Sequence, residues 1–315
     1  MSILLTIVIC TYNRSRYLEN CLLSLAEQSV DTINFEVLVV DNNSSDETLR
    51  VANKYKNFFK NYKVVTEHQN GLSYARNRGA KEASGDWVAY IDDDGFVNSD
   101  FVFLANMTIS EYDFDMFGGV VIDVFERKKP NWLNFPLYPR LGESSVEGII
   151  KLEKNTIFGC IMCIRKSLVL SYKFDNSLGM KGNKIGFSEE SEFQNRIRND
   201  GYVVGQNPIL VLNHTVMPSK YKIFWHIKSQ FYLGQNYWIK EHRIPNIIFD
   251  ILFGPFKIIG LLLLKSIYSL TKIVKKDFHL GNYILNILQP TAYGVGKWLS
   301  AFDVLFKNRL ITEAK

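Results

Sequence analysis

Over the first 66 positions, runs of β-forming residues alternate with segments of helical periodicity, and this pattern constrains the fold most strongly. Residues 3–9, I-L-L-T-I-V-I, are almost wholly apolar, as expected of a strand covered on both faces in a parallel sheet. Cys10-Thr11-Tyr12-Asn13-Arg14 ends the run, Ser15 is placed to cap a helix, and Leu18, Leu22 and Leu25 recur at helical spacing. A second run, F-E-V-L-V-V at 35–40, ends in Asp41-Asn42-Asn43-Ser44-Ser45-Asp46. A helix is predicted over Glu47–Tyr55 and a third strand over Tyr62–Thr66. The order β-α-β-α-β is the first half of a doubly wound α/β sheet.

Residues 70–80 predict a further helix carrying Arg76 and Arg78, which could face a diphosphate or simply form a solvated basic surface. It leads into W-V-A-Y-I-D-D-D-G at 87–95, where a short strand, Val88–Ile91, runs into Asp92, Asp93 and Asp94. Ligands of open α/β sheets bind outside the carboxyl ends of the strands, so three acids there mark a candidate site. Their mutual repulsion is relieved if a hard cation sits among them, and oxygen ligands suit Mg²⁺ or Mn²⁺. A solvated acidic turn is the other reading of the same residues. Asp41, also at a strand's carboxyl end, is placed to accept hydrogen bonds from a ribose or base. The first turn carries no G-x-G-x-x-G, so the dinucleotide fingerprint is absent.

Four stretches in order, T-Y-N-R, V-V-D-N-N-S-S-D-E-T, N-G-L-S-Y-A-R-N-R-G and Y-I-D-D-D, together resemble the family 2 glycosyltransferases, nucleotide-sugar-dependent enzymes with a GT-A fold. The resemblance continues through G-C-I-M-C-I-R-K-S-L, K-F-D-N-S-L-G and S-E-E-S-E-F and ends near Tyr237. It implies that Asp94 binds the divalent metal on the donor diphosphate, while Asp92 and Asp93 face nucleoside and ribose, with Asp92 also counted in the metal set. It places Thr11, Tyr12, Asn13, Arg14, Asp41 and Arg76 at the nucleotide sugar. The chain departs from the family at Gly95, where many members have a further acid.

Transfer to a hydroxyl needs a base at the acceptor. In S-E-E-S-E-F-Q-N-R-I, Ser188 is placed to cap a helix whose first turn holds Glu189 and Glu190. Glu190, Phe193 and Ile197 share the inward face, where a raised pKa is expected, whereas Glu192 pairs with Arg196 at i, i+4 on a solvated side. The family's second acid of this pair is the base, which corresponds to Glu190, with Glu189 as the alternative. A short strand, Pro208–Asn213, precedes His214. The resemblance implies that His214 completes the metal site or contacts the diphosphate, joined there by Lys220 and Lys222.

The implied reaction is inverting transfer, by single displacement, from a nucleotide-diphosphate sugar to a glycan or lipid-linked acceptor. A nucleotidyltransferase, or a silent glycan-binding protein of the same fold, are the other classes. The net charge of +5 is spread too evenly to argue for nucleic acid as a partner. Cys160-x-x-Cys163 lies in an apolar strand that would put its sulfurs on opposite faces, and buried reduced thiols fit a cytoplasmic protein. Three segments are anticipated: 1–110 for the nucleotide sugar, 111–243 for the acceptor and 244–315 as helical extension. In the last, Pro255 is placed to start a helix running to Lys276, interrupted by lysines before the roughly 20 residues of a membrane span. Lys257, Lys265, Lys272, Lys275 and Lys276 fall within about a third of its circumference beside a wide apolar face. That pattern predicts a helix lying at the inner surface of the cell membrane, ahead of one packed on the catalytic domain or a second copy in a homo-oligomer and, last, of a tilted span with snorkelling lysines.

Overall fold

A computed structural model of the chain describes residues 4–133, 135, 137, 148–153, 155–182, 184–237, 244–270 and 279–312. It contains two compact units, the first formed by Met1–Val124, Leu137–Lys184 and Glu189–Thr215.

The first unit is built on a mixed sheet with nine strands among the described residues, in the spatial order β3 (Tyr62–Thr66), β2 (Phe35–Asp41), β1 (Leu5–Thr11), β4 (Trp87–Asp92), β8 (Ile161–Arg165), β6 (Met116–Phe125), β9 (Val204–Val216) and β5 (Gly95–Val97), with β7 (Ile150–Lys151) paired to β9. The parallel part comprises β1 (Leu5–Thr11), β2 (Phe35–Asp41), β3 (Tyr62–Thr66) and β4 (Trp87–Asp92). Antiparallel pairing then joins β4 to β8 (Ile161–Arg165), β8 to β6 (Met116–Phe125), and β9 (Val204–Val216) to both β5 (Gly95–Val97) and β7 (Ile150–Lys151).

Strand alternation divides the apolar residues between two covers. Ile7, Ile9, Val37, Val39, Ala89 and Ile91 pack with Leu18, Leu22 and Leu25 of α1 (Ser15–Ala26), Ala52 of α2 (Thr48–Lys54) and Phe101 and Ala105 of α4 (Phe101–Glu111). Val8, Leu38, Val40, Val88 and Tyr90 face the other way. They meet α3 (Leu72–Glu82), α5 (Lys166–Tyr172) and α6 (Glu189–Asn199) through Ala75, Leu168 and Phe193.

Several local expectations need correction. Helix α1 begins at Ser15 itself, because Arg14 takes the capping position and its carbonyl accepts the Leu18 N–H at 3.0 Å. Strand β9 has 13 residues and contains His214, since pairing on both its flanks carries it beyond the apolar run. Ser188 stands at φ +76°, in the left-handed region rather than the extended one usual for a capping residue. Cys160 and Cys163 are both buried thiols outside any disulfide, but in the same apolar cluster: the chain turns over 158–161, so Cys160 precedes the strand that would have alternated them.

The second unit comprises Phe125–Pro136, Ile185–Ser188 and Val216–Lys315. It contains α7 (Ile223–Gln235) and two long helices, Ile244–Leu270 and Leu280–Thr312. The first of these runs straight through Pro255, contrary to the expected start there. Lys257 is not part of an open lysine stripe: it meets Asp250 at 2.8 Å, and Lys297 of the last helix meets the same carboxylate at 2.9 Å. Lys272, Lys275 and Lys276 lie outside the described residues. Ile247–Leu270 is long and apolar enough to cross a membrane by length and composition, and only 17% of its apolar window is buried.

Candidate active site at the carboxyl edge

Strand register assembles the acids. In the parallel pairing Thr11 stands beside Asp41 and Cys10 beside Asp92, so the ends of β1, β2 and β4 present their polar residues along one edge. The chain then reverses at Asp93-Asp94 into β5, which pairs Gly95 with His214 of β9. Gly95 has no room for a side chain there, as a Cβ would lie 2.8 Å from the Leu212 side chain. The Thr215 N–H donates to the Asp94 carbonyl at 2.8 Å, and His214 Nε2 lies 3.1 Å from Asp94 Oδ1.

Asp92, Asp94 and His214 thereby offer two carboxylate oxygens and one imidazole nitrogen, all within 4.8 Å of one another. Arg14 approaches the same cluster from the β1–α1 turn, its Nη1 3.0 Å from Asp94 Oδ2 and its guanidinium 5.6 Å from the Tyr17 ring. Asp93 is buried, and burial pushes its carboxyl up to about 7 against the opposing pull of Arg14.

Around the nucleoside-side residues the loops brace one another. Asn13, at φ +52°, uses its side-chain oxygen to accept the Ser45 N–H at 2.8 Å, and its own N–H donates to Ser44 Oγ at 3.0 Å. Thr11 is buried and its carbonyl accepts the Asn42 N–H at 2.8 Å, while Tyr12 is half-buried. Asp41 is 2% exposed; its Oδ2 accepts the Ser44 N–H at 3.3 Å, and its Oδ1 has no hydrogen-bond partner among the described residues. A buried carboxylate oxygen left in that state costs free energy that an N–H or O–H of a ligand would recover.

The two glutamates of α6 differ in their surroundings. Glu189 is buried and accepts Arg76 Nη1 at 2.6 Å. Glu190, expected on the inward face with Phe193 and Ile197, is only half-buried, and desolvation, with the Glu189 carboxylate beside it, pushes it up to about 8. Arg76 is itself buried, with Nη2 3.8 Å from Asp92 Oδ1 and 3.1 Å from the Gly159 carbonyl. Arg78 instead pairs with Glu82 at 3.0 Å. Glu192 does pair with Arg196, at 2.6 Å, but it is buried rather than solvated. Arg196 also donates to the carbonyls of Tyr172 and Lys173, and so draws Glu192 against the end of α5. Lys220 and Lys222 belong to the second unit, where Lys220 Nζ stands 5.9 Å from the Trp225 ring.

The sequence profile described as Glycosyl transferase family 2 matches residues 6–171, more than half of the chain. The chain belongs to glycosyl transferase family 2. This family 2 glycosyltransferase is 34% identical over 113 residues to the Staphylococcus aureus poly(ribitol-phosphate) beta-N-acetylglucosaminyltransferase TarS, covering 35% of this chain and 20% of that protein. The Bacillus subtilis glycosyltransferase EpsH is 31% identical over 96 residues, 30% of this chain and 27% of EpsH. The chain thus spans about a fifth to a quarter of the length of these curated relatives. A glucosyl-dolichyl phosphate glucuronosyltransferase of Haloferax volcanii is 26% identical over 247 residues, covering 76% and 78%.

Solved structures show the fold to be GT-A-like. A mannosyltransferase from Pyrobaculum calidifontis in complex with GDP-Man and Mn²⁺ superposes with a TM-score of 0.55 at 17% identity, over 73% of this chain and 61% of that one. A crystal structure of S. aureus TarS with UDP-GlcNAc gives a TM-score of 0.55 at 16% identity, over 97% and 92%.

Sequence reasoning missed two braces of this family 2 domain. Asn42 donates to the carbonyls of Glu67 and Gln69 and accepts the Gly71 N–H at 2.8 Å, tying the ends of β2 and β3 to the start of α3. The Gly159 carbonyl holds Arg76, and a Cβ at Gly159 would come within 2.8 Å of that guanidinium. Neither residue carries a periodic signal, because each works through long-range contacts.

Proposed function

We propose that this family 2 chain transfers a sugar from a nucleotide-diphosphate sugar to an acceptor hydroxyl, with inversion, by single displacement. The observation that carries this reading is the cluster Asp92, Asp94 and His214 at the same sheet edge as Asp41. Two carboxylate oxygens and an imidazole fit Mn²⁺ or Mg²⁺, each of which completes its shell with phosphate oxygens and water. Such an ion, when bound, offsets the charge that develops on a leaving diphosphate. Arg14 orients Asp94, and Asp41 Oδ1 is positioned to accept from the nucleoside. Glu190 takes the proton of the attacking hydroxyl, so no covalent nucleophile is required.

A panel of sugar nucleotides incubated with the protein and Mn²⁺ tests this. One donor is expected to yield free nucleoside diphosphate, with release stopped by EDTA. Release of pyrophosphate would support a nucleotidyltransferase instead, and no turnover of any donor with any glycan acceptor would support a silent binding protein.

The acceptor is proposed to be a growing surface polysaccharide or a lipid-linked glycan, in keeping with the names of TarS and the Haloferax enzyme. The protein is further proposed to lie on the inner face of the cell membrane through the Ile244–Leu270 helix, a reading supported by the exposure of Phe256, Ile259, Leu263 and Leu264. Because Asp250 neutralises Lys257, apolar insertion contributes more than lysine attraction. The full chain is expected to co-sediment with phosphatidylglycerol vesicles and to remain largely bound in high salt. Phe256→Glu with Leu263→Glu should release it. Unchanged sedimentation of the double variant would refute this placement.

A further inference from the structure

Arg76 and Glu189 come from segments 113 residues apart, yet they form the shortest described link between the two halves of the candidate site. Both side chains are buried, at 3% and 6% exposure. The guanidinium is engaged through both terminal nitrogens: Nη1 on Glu189 at 2.6 Å, and Nη2 on the Gly159 carbonyl at 3.1 Å and near Asp92 at 3.8 Å. Its central carbon lies 5.5 and 5.9 Å from the ring centroids of Phe174 and Tyr90. The Tyr90 hydroxyl donates to the Arg76 carbonyl at 2.8 Å, so backbone and side chain are both held. Gly179, at φ +81°, borders the partner carboxylate: a Cβ there would lie 3.2 Å from Glu189 Cδ.

Resting on the reading of Glu190 as the proton acceptor, we infer that the Arg76–Glu189 pair is a buried positioning bridge. It ties the first turn of α6 to the acid edge at Asp92, engages the Glu189 carboxyl, and so reserves the next residue, Glu190, for the acceptor. Geometry makes the division: Glu189 points back into the sheet toward α3, while Glu190 remains half-buried and reachable. The charged groups acting on Glu190 are Glu189 from its own helix and Arg76 from α3, with Asp92 of β4 behind the guanidinium. Burial raises the Glu190 carboxyl and the adjacent Glu189 charge raises it further, whereas Arg76 opposes both. Without the bridge, no contact to Arg76 would distinguish the two adjacent carboxyls and set one aside as base.

The test compares Glu189→Gln and Glu189→Asp in the full chain, reading the pH dependence of kcat, the KM for donor, donor affinity by calorimetry and thermal unfolding. Glu189→Gln removes the neighbouring charge, so the acid limb of kcat is expected to move down by about one pH unit with donor affinity within about twofold of wild type. Glu189→Asp keeps the charge and shortens the reach to Arg76. Its limb should stay in place while kcat falls about tenfold at unchanged KM. A pair that served stability alone would lower the unfolding temperature of both variants and leave limb and kcat untouched. That result overturns the inference, and Glu189→Asp decides it alone if Glu189→Gln does not fold. Absence of any acid limb in the wild-type profile would instead count against Glu190 as base, which separates the failure of that reading from the failure of the bridge.

Discussion

Replacing Asp94 with alanine is expected to abolish metal-dependent donor binding and to lower kcat/KM by about a thousandfold or more, the scale of the several kcal/mol that an ion contributes to charge on a leaving group. Asp94 is the hub of the cluster, with one oxygen 3.1 Å from His214 Nε2 and the other 3.0 Å from Arg14. Its removal takes one of three grouped ligands and also leaves a guanidinium beside the place a cation would occupy. The two effects act in the same direction, since Arg14 would then repel the ion instead of being neutralised. Mn²⁺ titration followed by electron paramagnetic resonance, without donor, separates ion loss from donor loss. The fold should survive, because the Thr215 N–H bonds to the Asp94 backbone carbonyl and not to its side chain. Wild-type Mn²⁺ affinity in the variant would remove Asp94 from the metal set.

Glu190→Gln should retain donor affinity and lose turnover by about 10²–10⁴-fold, the usual contribution of a positioned general base. The pH profile gives an independent reading. With the Glu190 carboxyl raised to about 8, the group is mostly protonated at neutral pH and accepts a proton only after ionising. Wild-type kcat should therefore rise with pH, close to tenfold per unit below about 8, and level off above it. The glutamine variant should lack that limb. Glu189→Gln should do less harm, since Glu189 is turned away onto Arg76. The opposite ranking would move the base one residue earlier.

Much of this site was legible along the chain. Asp41 and Asp92–Asp94 stand at the ends of apolar runs, and in parallel strands such ends line up at one edge. Glu189 and Glu190 fall in the first turn of a helix whose Phe193 and Ile197 are buried as their spacing predicted. Other readings failed where a local signal met a distant partner. Glu192 looked solvated from its i, i+4 pair, but Arg196 also binds the carbonyls of Tyr172 and Lys173 and holds the pair inward. Pro255 looked like a helix start, yet the helix continues through it.

The sequence by itself determined the alternation of strands and helices, the placing of the acids at strand ends and the family to which the chain is similar. These depend on side-chain periodicity and backbone preference, which act over a few residues. Only the tertiary structure decided that His214 reaches Asp94, because an antiparallel register between β5 and β9 sets that meeting. It alone decided that Arg76 engages Glu189. The physical reason is range: burial and charge pairing depend on which distant segments pack together, and no repeat along the chain encodes that choice.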